Sequence, residues 1–237
     1  MPVVEVVSAS PFELVERRVS VGASSAAAAE RVGAALAITH AAGAPWWGAP
    51  PDGWQGAYLI DDSATPTVGE HDAPDSWGAF FAEWRIMSYL RQACDAGAIN
   101  RDEAAVFEHV ANRLASGALD APQPGLLVSA GIAVARIHGD LWSGNLMWDA
   151  DPGNRVGAVL IDPMAHGGHA ETDLAMLALF GCPHLGRIVS AYDEVSPLAD
   201  GWRDRVHLHQ LAPLLHHCAL FGRSYTRSAL EAARAYA

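Results

Sequence analysis

Apolar positions recur at two different spacings along this chain. The opening PVVEVVSASPFELVERRV (2–19) holds two short β-branched runs parted by Ser and Pro. That pattern predicts two strands, or one strand that continues into a linker. Ser24-Ser25 then precede AAAAERVGAALAITHAAG, an Ala-rich run with a Ser N-cap and a terminating Gly43, which predicts a helix. Residues 44–74 are rich in Gly, Pro, Trp and Asp and show no period, so they read as a long irregular loop, a feature that is often functional.

Beyond Asp75-Ser76 the helical period returns. Trp77, Phe80, Phe81, Trp84, Met87, Leu90 and Arg91 trace one face, and Gly97 closes the helix. Asn100 caps a third helix, with Asp102 and Glu103 in the first turn, where the helix dipole favours acids. It runs to about Ser116-Gly117. Apolar LLVSAGIAVARI leads into His138-Gly139-Asp140. LMW (146–148) and AVLI (158–161) flank DADPGNRVG, whose Pro-Gly and Asn predict a turn and so a hairpin. From Thr172 the pattern is helical almost to the end, with Pro213 expected to kink or interrupt the helix that contains it. The sum is an α+β chain that is mainly helical.

The polar residues around the hairpin have no packing reason to be there. HGDLWSGN sets Asp140 and Asn145 five positions apart, and Asp162 closes the strand-like run that follows. Phosphoryl transfer needs a carboxylate at the acceptor hydroxyl and hard oxygen ligands for Mg²⁺. Protein-kinase-like sites supply an Asp, an Asn five residues on, and a second Asp beyond a hairpin. In that pattern Asp140 takes the acceptor proton, while Asn145 and Asp162 hold the metal. The bland alternative is that Asp140 and Asn145 only shape a turn. His138 is expected to brace the loop. Asp173 could cap the helix DLAMLAL or reach back to the loop backbone.

Composition narrows the setting. With 237 residues and 51% apolar content the chain can bury a sizeable core. A net charge of -12 argues against general nucleic-acid binding. Cys94, Cys182 and Cys218 are scattered, which suits a reducing cytoplasm rather than a disulfide framework. No membrane span and no signal peptide is legible. All 15 basic residues are Arg. A mechanism that needs a lysine cannot run on this chain alone.

HGDLWSGN, LIDP, ETDLAMLALFG, AYDEVSPLADGWRDR and LHQLAPLLHH..LFG resemble successive blocks of the fructosamine kinase (ketosamine-3-kinase) family. ALAITHAAGAPWWGAP and WGAFFAEWRI are similar to its upstream blocks. The resemblance implies the C-terminal lobe of a protein-kinase-like fold and ATP- and Mg²⁺-dependent phosphorylation of a sugar hydroxyl on small or protein-bound ketosamines. By position, Asp140 resembles the family's base, Asn145 and Asp162 its metal ligands, and Trp142 the aromatic beside the acceptor. His166, His169 and Glu171 fall in a loop that the resemblance places at the sugar.

The resemblance begins near the end of the family's N-terminal lobe. Residues 1–22 are expected to be a remnant of that lobe with its hinge, and 23–237 the helical lobe. Glu16, Arg17 and Arg18 fall at the hinge, beside adenine. No glycine-rich phosphate loop and no lysine precedes them, so weak or absent turnover is expected. A start assigned too far downstream or a shortened gene would account for this. An uncovered apolar surface near Val3–Val7 and Phe12 would favour self-association.

Two rival readings stay open. A metal-dependent hydrolase could use His166 and His169, although two glycines between them rule out a shared helix face. A lobe that binds a sugar or a partner without catalysis is the other.

Overall fold

The computed structural model describes residues 1–10, 12–54, 56–60 and 63–237. Strands β1 (Val6–Ser10) and β2 (Glu13–Glu16) pair antiparallel, the two-strand form of the opening. Residue 11 of that stretch lies outside the described residues. Both strands stand clear of the body, so Val6, Val7 and Leu14 are exposed.

Helix α1 (Ala26–Ala41) begins where the sequence places it, with the Ser25 hydroxyl accepting the Ala28 N–H at 3.2 Å. The segment 44–74 differs from the expected irregular loop. It carries two three-residue strands, β3 (Tyr58–Ile60) and β4 (Ser63–Thr65), paired antiparallel, and a short 3-10 turn at Glu70–Asp72. Strands of three residues are too short to show an alternation. Residues 55, 61 and 62 lie outside the described residues. Trp46 and Trp47 pack onto the core, and Trp46 Nε1 donates to the Val68 carbonyl at 2.8 Å. Trp54 is partly exposed and stacks on Tyr58, ring centroids 4.7 Å apart.

The second predicted helix is one rod with a defect. It comprises α2 (Trp77–Phe81), a π-helical turn (Ala82–Met87) and α3 (Ser88–Asp95). Helix α4 (Arg101–Ala115) has a complete capping box between Asn100 and Glu103. A short α5 (Gly125–Ala130) leads into β5 (Ala135–Ile137). The predicted hairpin is β6 (Leu146–Trp148) with β7 (Ala158–Leu160). β8 (His166–Gly168) returns to pair with β5.

Four helices complete the chain: α6 (Glu171–Leu179), α7 (Leu185–Val195), α8 (Trp202–Phe221) and α9 (Thr226–Arg234). Of the two expected effects of Pro213, interruption does not occur: α8 is continuous through it. Its missing N–H costs one helical bond. Packing of Leu211, Ala212, Leu214 and Leu215 on both sides holds the helix together.

Two apolar clusters build most of the body, and the smaller one positions the hairpin. The larger joins α2, α3, α4, α8 and α9. The smaller sets Leu141, Leu146, Ala158 and Leu160 against α1 and α7. Those two helices approach so closely that a Cβ on Gly33 would stand 2.1 Å from the Ile188 carbonyl oxygen. Residues 1–22 are stitched to the hairpin from both sides. Val4 N–H donates to Leu160 O and Leu160 N–H to Pro2 O, while Gly22 N–H donates to Trp148 O and Ala150 N–H to Ser20 O.

Candidate active site

Strand β5 delivers residues 138–145 to the open end of the hairpin. Gly139 is required there. Its φ of +84 is left-handed, and a Cβ would lie 2.3 Å from the Met164 carbonyl oxygen. Asp173 holds this turn from below. Its Oδ2 accepts the His138 N–H at 2.8 Å and its Oδ1 accepts the Gly139 N–H at 3.0 Å. Oδ2 also meets His40 Nε2 at 3.0 Å, and His40 Nδ1 meets the Tyr192 hydroxyl at 2.9 Å. Burial alone would raise the Asp173 pKa; the bonds from His40 and the loop outweigh it and lower it. Of the two roles left open, the one observed is the reach to the loop backbone. Asp173 lies inside the first turn of α6, and Ala170 is the cap position.

His138 braces the turn from above. Its Nε2 faces the Ile161 carbonyl at 2.9 Å, and its Nδ1 accepts the Asp140 N–H at 3.3 Å. The bonds therefore place the proton on Nε2. Burial lowers the His138 pKa.

Asn145 is buried beside Asp140. Its Nδ2 donates to the Asp140 backbone oxygen at 2.8 Å and to the Asp140 carboxylate at 3.0 Å. Its own carbonyl accepts the Ile161 N–H at 3.1 Å, which ties it to the residue before Asp162. Asp162 is exposed and has a φ of 50, left-handed for a non-glycine residue. Such strain persists where surrounding structure fixes it, and it clusters at functional sites. Burial raises the Asp140 pKa to about 7; the Asn145 bond works against this, and the charges of Asp173 and Asp162 add to it. Among the described residues, no protein donor reaches the Asn145 amide oxygen or the Asp162 carboxylate. Oxygen ligands of that kind suit Mg²⁺.

Asp140 opens on two connected spaces. One is a cleft of about 460 Å³ lined by Trp142, Phe180, His217, Phe221 and Tyr225. The other is a smaller cavity behind it, whose lining includes Arg85, Tyr89, His166, His169 and His216. Apart from Trp142, the aromatic residues of the cleft escaped sequence reading. They sit near the ends of α6 and α8, where an apolar period reads as core.

The remaining expected site residues separate into three groups. His166 is buried in the cavity wall, with Nδ1 2.7 Å from the Met164 carbonyl; burial and the Arg85 charge hold its pKa down at about 3. His169 reaches the same cavity, but both its nitrogens are engaged, by the Ala121 carbonyl and the Glu171 N–H. Glu171 is held by Arg205, which donates to its two oxygens at 2.6 and 2.9 Å. Burial opposes its ionisation, yet His209 and Arg205 hold its pKa down at about 2. Glu16, Arg17 and Arg18 lie elsewhere. Arg17 and Arg18 line a separate cleft with Pro2–Glu5 and the turn of the hairpin, and Arg17 pairs with Glu5 at 2.7 Å.

Among the described residues, His169, Glu171 and His209 are the one group of His, Cys, Asp and Glu that could converge on a metal. Arg205 already occupies the carboxylate, and His166 is not part of the group. The metal-hydrolase reading therefore loses its ligand set. Among the described residues no helix is long and apolar enough to cross a membrane.

Asp140, the Asn145 bonded to it and Asp162 beyond a hairpin stand on a mainly helical body that superposes on solved structures of kinases. A crystal structure from Thermobifida fusca, described provisionally as a fructosamine-3-kinase, superposes with a TM-score of 0.83 at 43% identity, covering 99% of this chain and 73% of that one. The family model for fructosamine kinase matches residues 11–236, and the chain belongs to that family. It is similar to YniA of Escherichia coli K12, a provisionally assigned ketoamine kinase, at 38% identity over 163 residues, which is 69% of this chain and 50% of YniA. It is also similar to the mouse ketosamine-3-kinase, at 35% over 164 residues, 69% of this chain and 48% of the mouse protein. The chain spans about half the length of these curated relatives.

Proposed function

We propose that this site transfers the γ-phosphoryl group of ATP to a sugar hydroxyl of a ketosamine, free or protein-bound. The observation that carries the reading is the pairing of Asp140 with Asn145, with Asp162 one residue beyond the backbone bond to Ile161. The name of the mouse relative points to the 3-hydroxyl. Asp140 orients that hydroxyl and accepts its proton as the oxygen–phosphorus bond forms and ADP departs. A carboxyl whose pKa lies near 7 is suited to exchange a proton at neutral pH. Asn145 Oδ1 and the Asp162 carboxylate would hold Mg²⁺, which when bound supplies positive charge to the phosphates. Trp142 offers an apolar face to the sugar C–H groups. Glu16, Arg17 and Arg18 belong to the hinge of residues 1–22, and in this reading they lie beside the nucleotide base.

The given sequence holds no lysine, so a lysine contact to the phosphates, of a type worth about 3–4 kcal/mol to the transition state, is not supplied by these residues. The same observation favours a second reading, a lobe that binds the ketosamine without turning it over. Transfer of γ-labelled phosphate to a fructosylamine separates the two. Transfer abolished by Asp140→Asn supports the first; binding without transfer supports the second.

A further inference from the structure

We infer that the cavity behind Asp140 seats oxygen atoms of the acceptor sugar, with Arg85 and His216 as the donors that hold them. This deepens the acceptor reading above and rests on it.

Arg85 lies in the π-helical turn of the rod, an irregularity common at functional sites. Its guanidinium is buried and stands 4.7 Å from the centroid of the Phe80 ring. Nη1 donates to the Pro66 and Trp84 carbonyls, each at 2.9 Å. Nη2 has no protein partner. His216, on α8, stacks on Tyr89 with centroids 4.5 Å apart and planes 10° apart, and its Nε2 also lacks a partner. Among the described residues four buried side-chain polar atoms are unpartnered. Three of them belong to Trp77, Arg85 and His216, which all line this cavity with Asp140.

Buried polar groups are nearly always satisfied, so three at one cavity point to a ligand with complementary atoms. Arg and Trp can only donate, so the ligand must offer acceptor oxygens. The cavity volume of about 40 Å³ suits two or three such groups, not a ring. Asp140 in its wall opposes an anion, which favours neutral hydroxyl or carbonyl oxygens. Cavity and cleft share Asp140, Met176, His216 and His217. A ketosamine would thus enter with sugar oxygens foremost, past the base and the Trp142 ring, and leave its amine substituent among Phe180, Phe221 and Tyr225. The deep end reads the sugar, and the wide end tolerates different amines.

The test is calorimetric titration of the full chain with N-fructosyl-methylamine, which carries no carboxylate. His216→Phe keeps the stack on Tyr89 and removes Nε2. Arg85→Lys keeps the charge but removes Nη2 together with the Nη1 bonds to Pro66 and Trp84, so His216→Phe is the decisive variant. The Kd is expected to rise about tenfold in His216→Phe, as for loss of one buried hydrogen bond, with a melting temperature unchanged or higher. Arg85→Lys should weaken binding at least as much. Wild-type affinity in His216→Phe would overturn the inference and mark these atoms as hydrated only. So would a wild-type chain that binds inorganic phosphate but not the fructosylamine. Weakened binding in the variants, with no phosphoryl transfer by the wild type, would sink the kinase reading alone and leave the sugar seat standing.

Discussion

Asp173 accepts the backbone N–H of Gly139 at 3.0 Å, from a helix 34 residues further along the chain. With its bond to His138 N–H it fixes two successive peptide groups just before Asp140. The loop geometry thus depends on a fully buried carboxylate.

Asp173→Asn should damage stability and turnover together. An amide can accept one of these bonds well, but it turns an N–H₂ toward another donor. The expected loss is about 2–4 kcal/mol by urea unfolding, since a buried paired charge is broken. A variant with wild-type stability would show that the network holds nothing.

Acid should destabilise the fold in two windows. His166 and His169 stay neutral in the folded chain down to about pH 3, whereas unfolded histidines protonate near 6.5. Between those values the unfolded state binds more protons, so stability falls as pH falls. The limiting slope for two such groups is about 2.7 kcal/mol per pH unit. Glu171, with a folded pKa of about 2 against 4.5 unfolded, adds a loss below about pH 4.5 with the same sign. Urea midpoints measured from pH 7 to 4 should decline throughout; a flat profile would contradict the burial of these histidines.

Asp162→Asn should raise the Mg²⁺ concentration needed for half-maximal transfer by about tenfold or more, because a charged hard-oxygen ligand becomes neutral. Its unfolding free energy should change little, as the side chain is exposed. An unchanged Mg²⁺ requirement would remove Asp162 from the metal.

The hairpin β1–β2 presents Val6, Val7 and Leu14 to solvent. Light scattering should detect association that strengthens with concentration. Val7→Thr with Leu14→Thr should weaken it. A monomer at all concentrations would contradict this.

The sequence made the centre of the site legible and hid its walls. The spacing of Asp140, Asn145 and Asp162 around a Pro-Gly turn singled them out, and the structure brings Asn145 within hydrogen-bond distance of Asp140. Asn100, Ser25 and Gly97 marked helix ends because capping is local. Arg85 was not legible. On a helical wheel it is one polar position among many, and only the π turn and the packing of Phe80 bury it. His216 lies in an apolar helix and stacks on Tyr89, and its unpartnered nitrogen is visible only in the structure. The Arg205 partner of Glu171 was not legible because it lies 34 residues away. β3 and β4 were missed because three residues carry no period.

The most direct measurement is a single-turnover assay with the full chain in excess over γ-labelled ATP, with Mg²⁺ and a fructosylamine. Slow transfer of label to the sugar is expected, falling by about 10²–10⁴ in Asp140→Asn, the span usual for a lost general base. Label transferred equally well by Asp140→Asn, or no transfer above the rate of ATP hydrolysis in water, would contradict the assignment of this site.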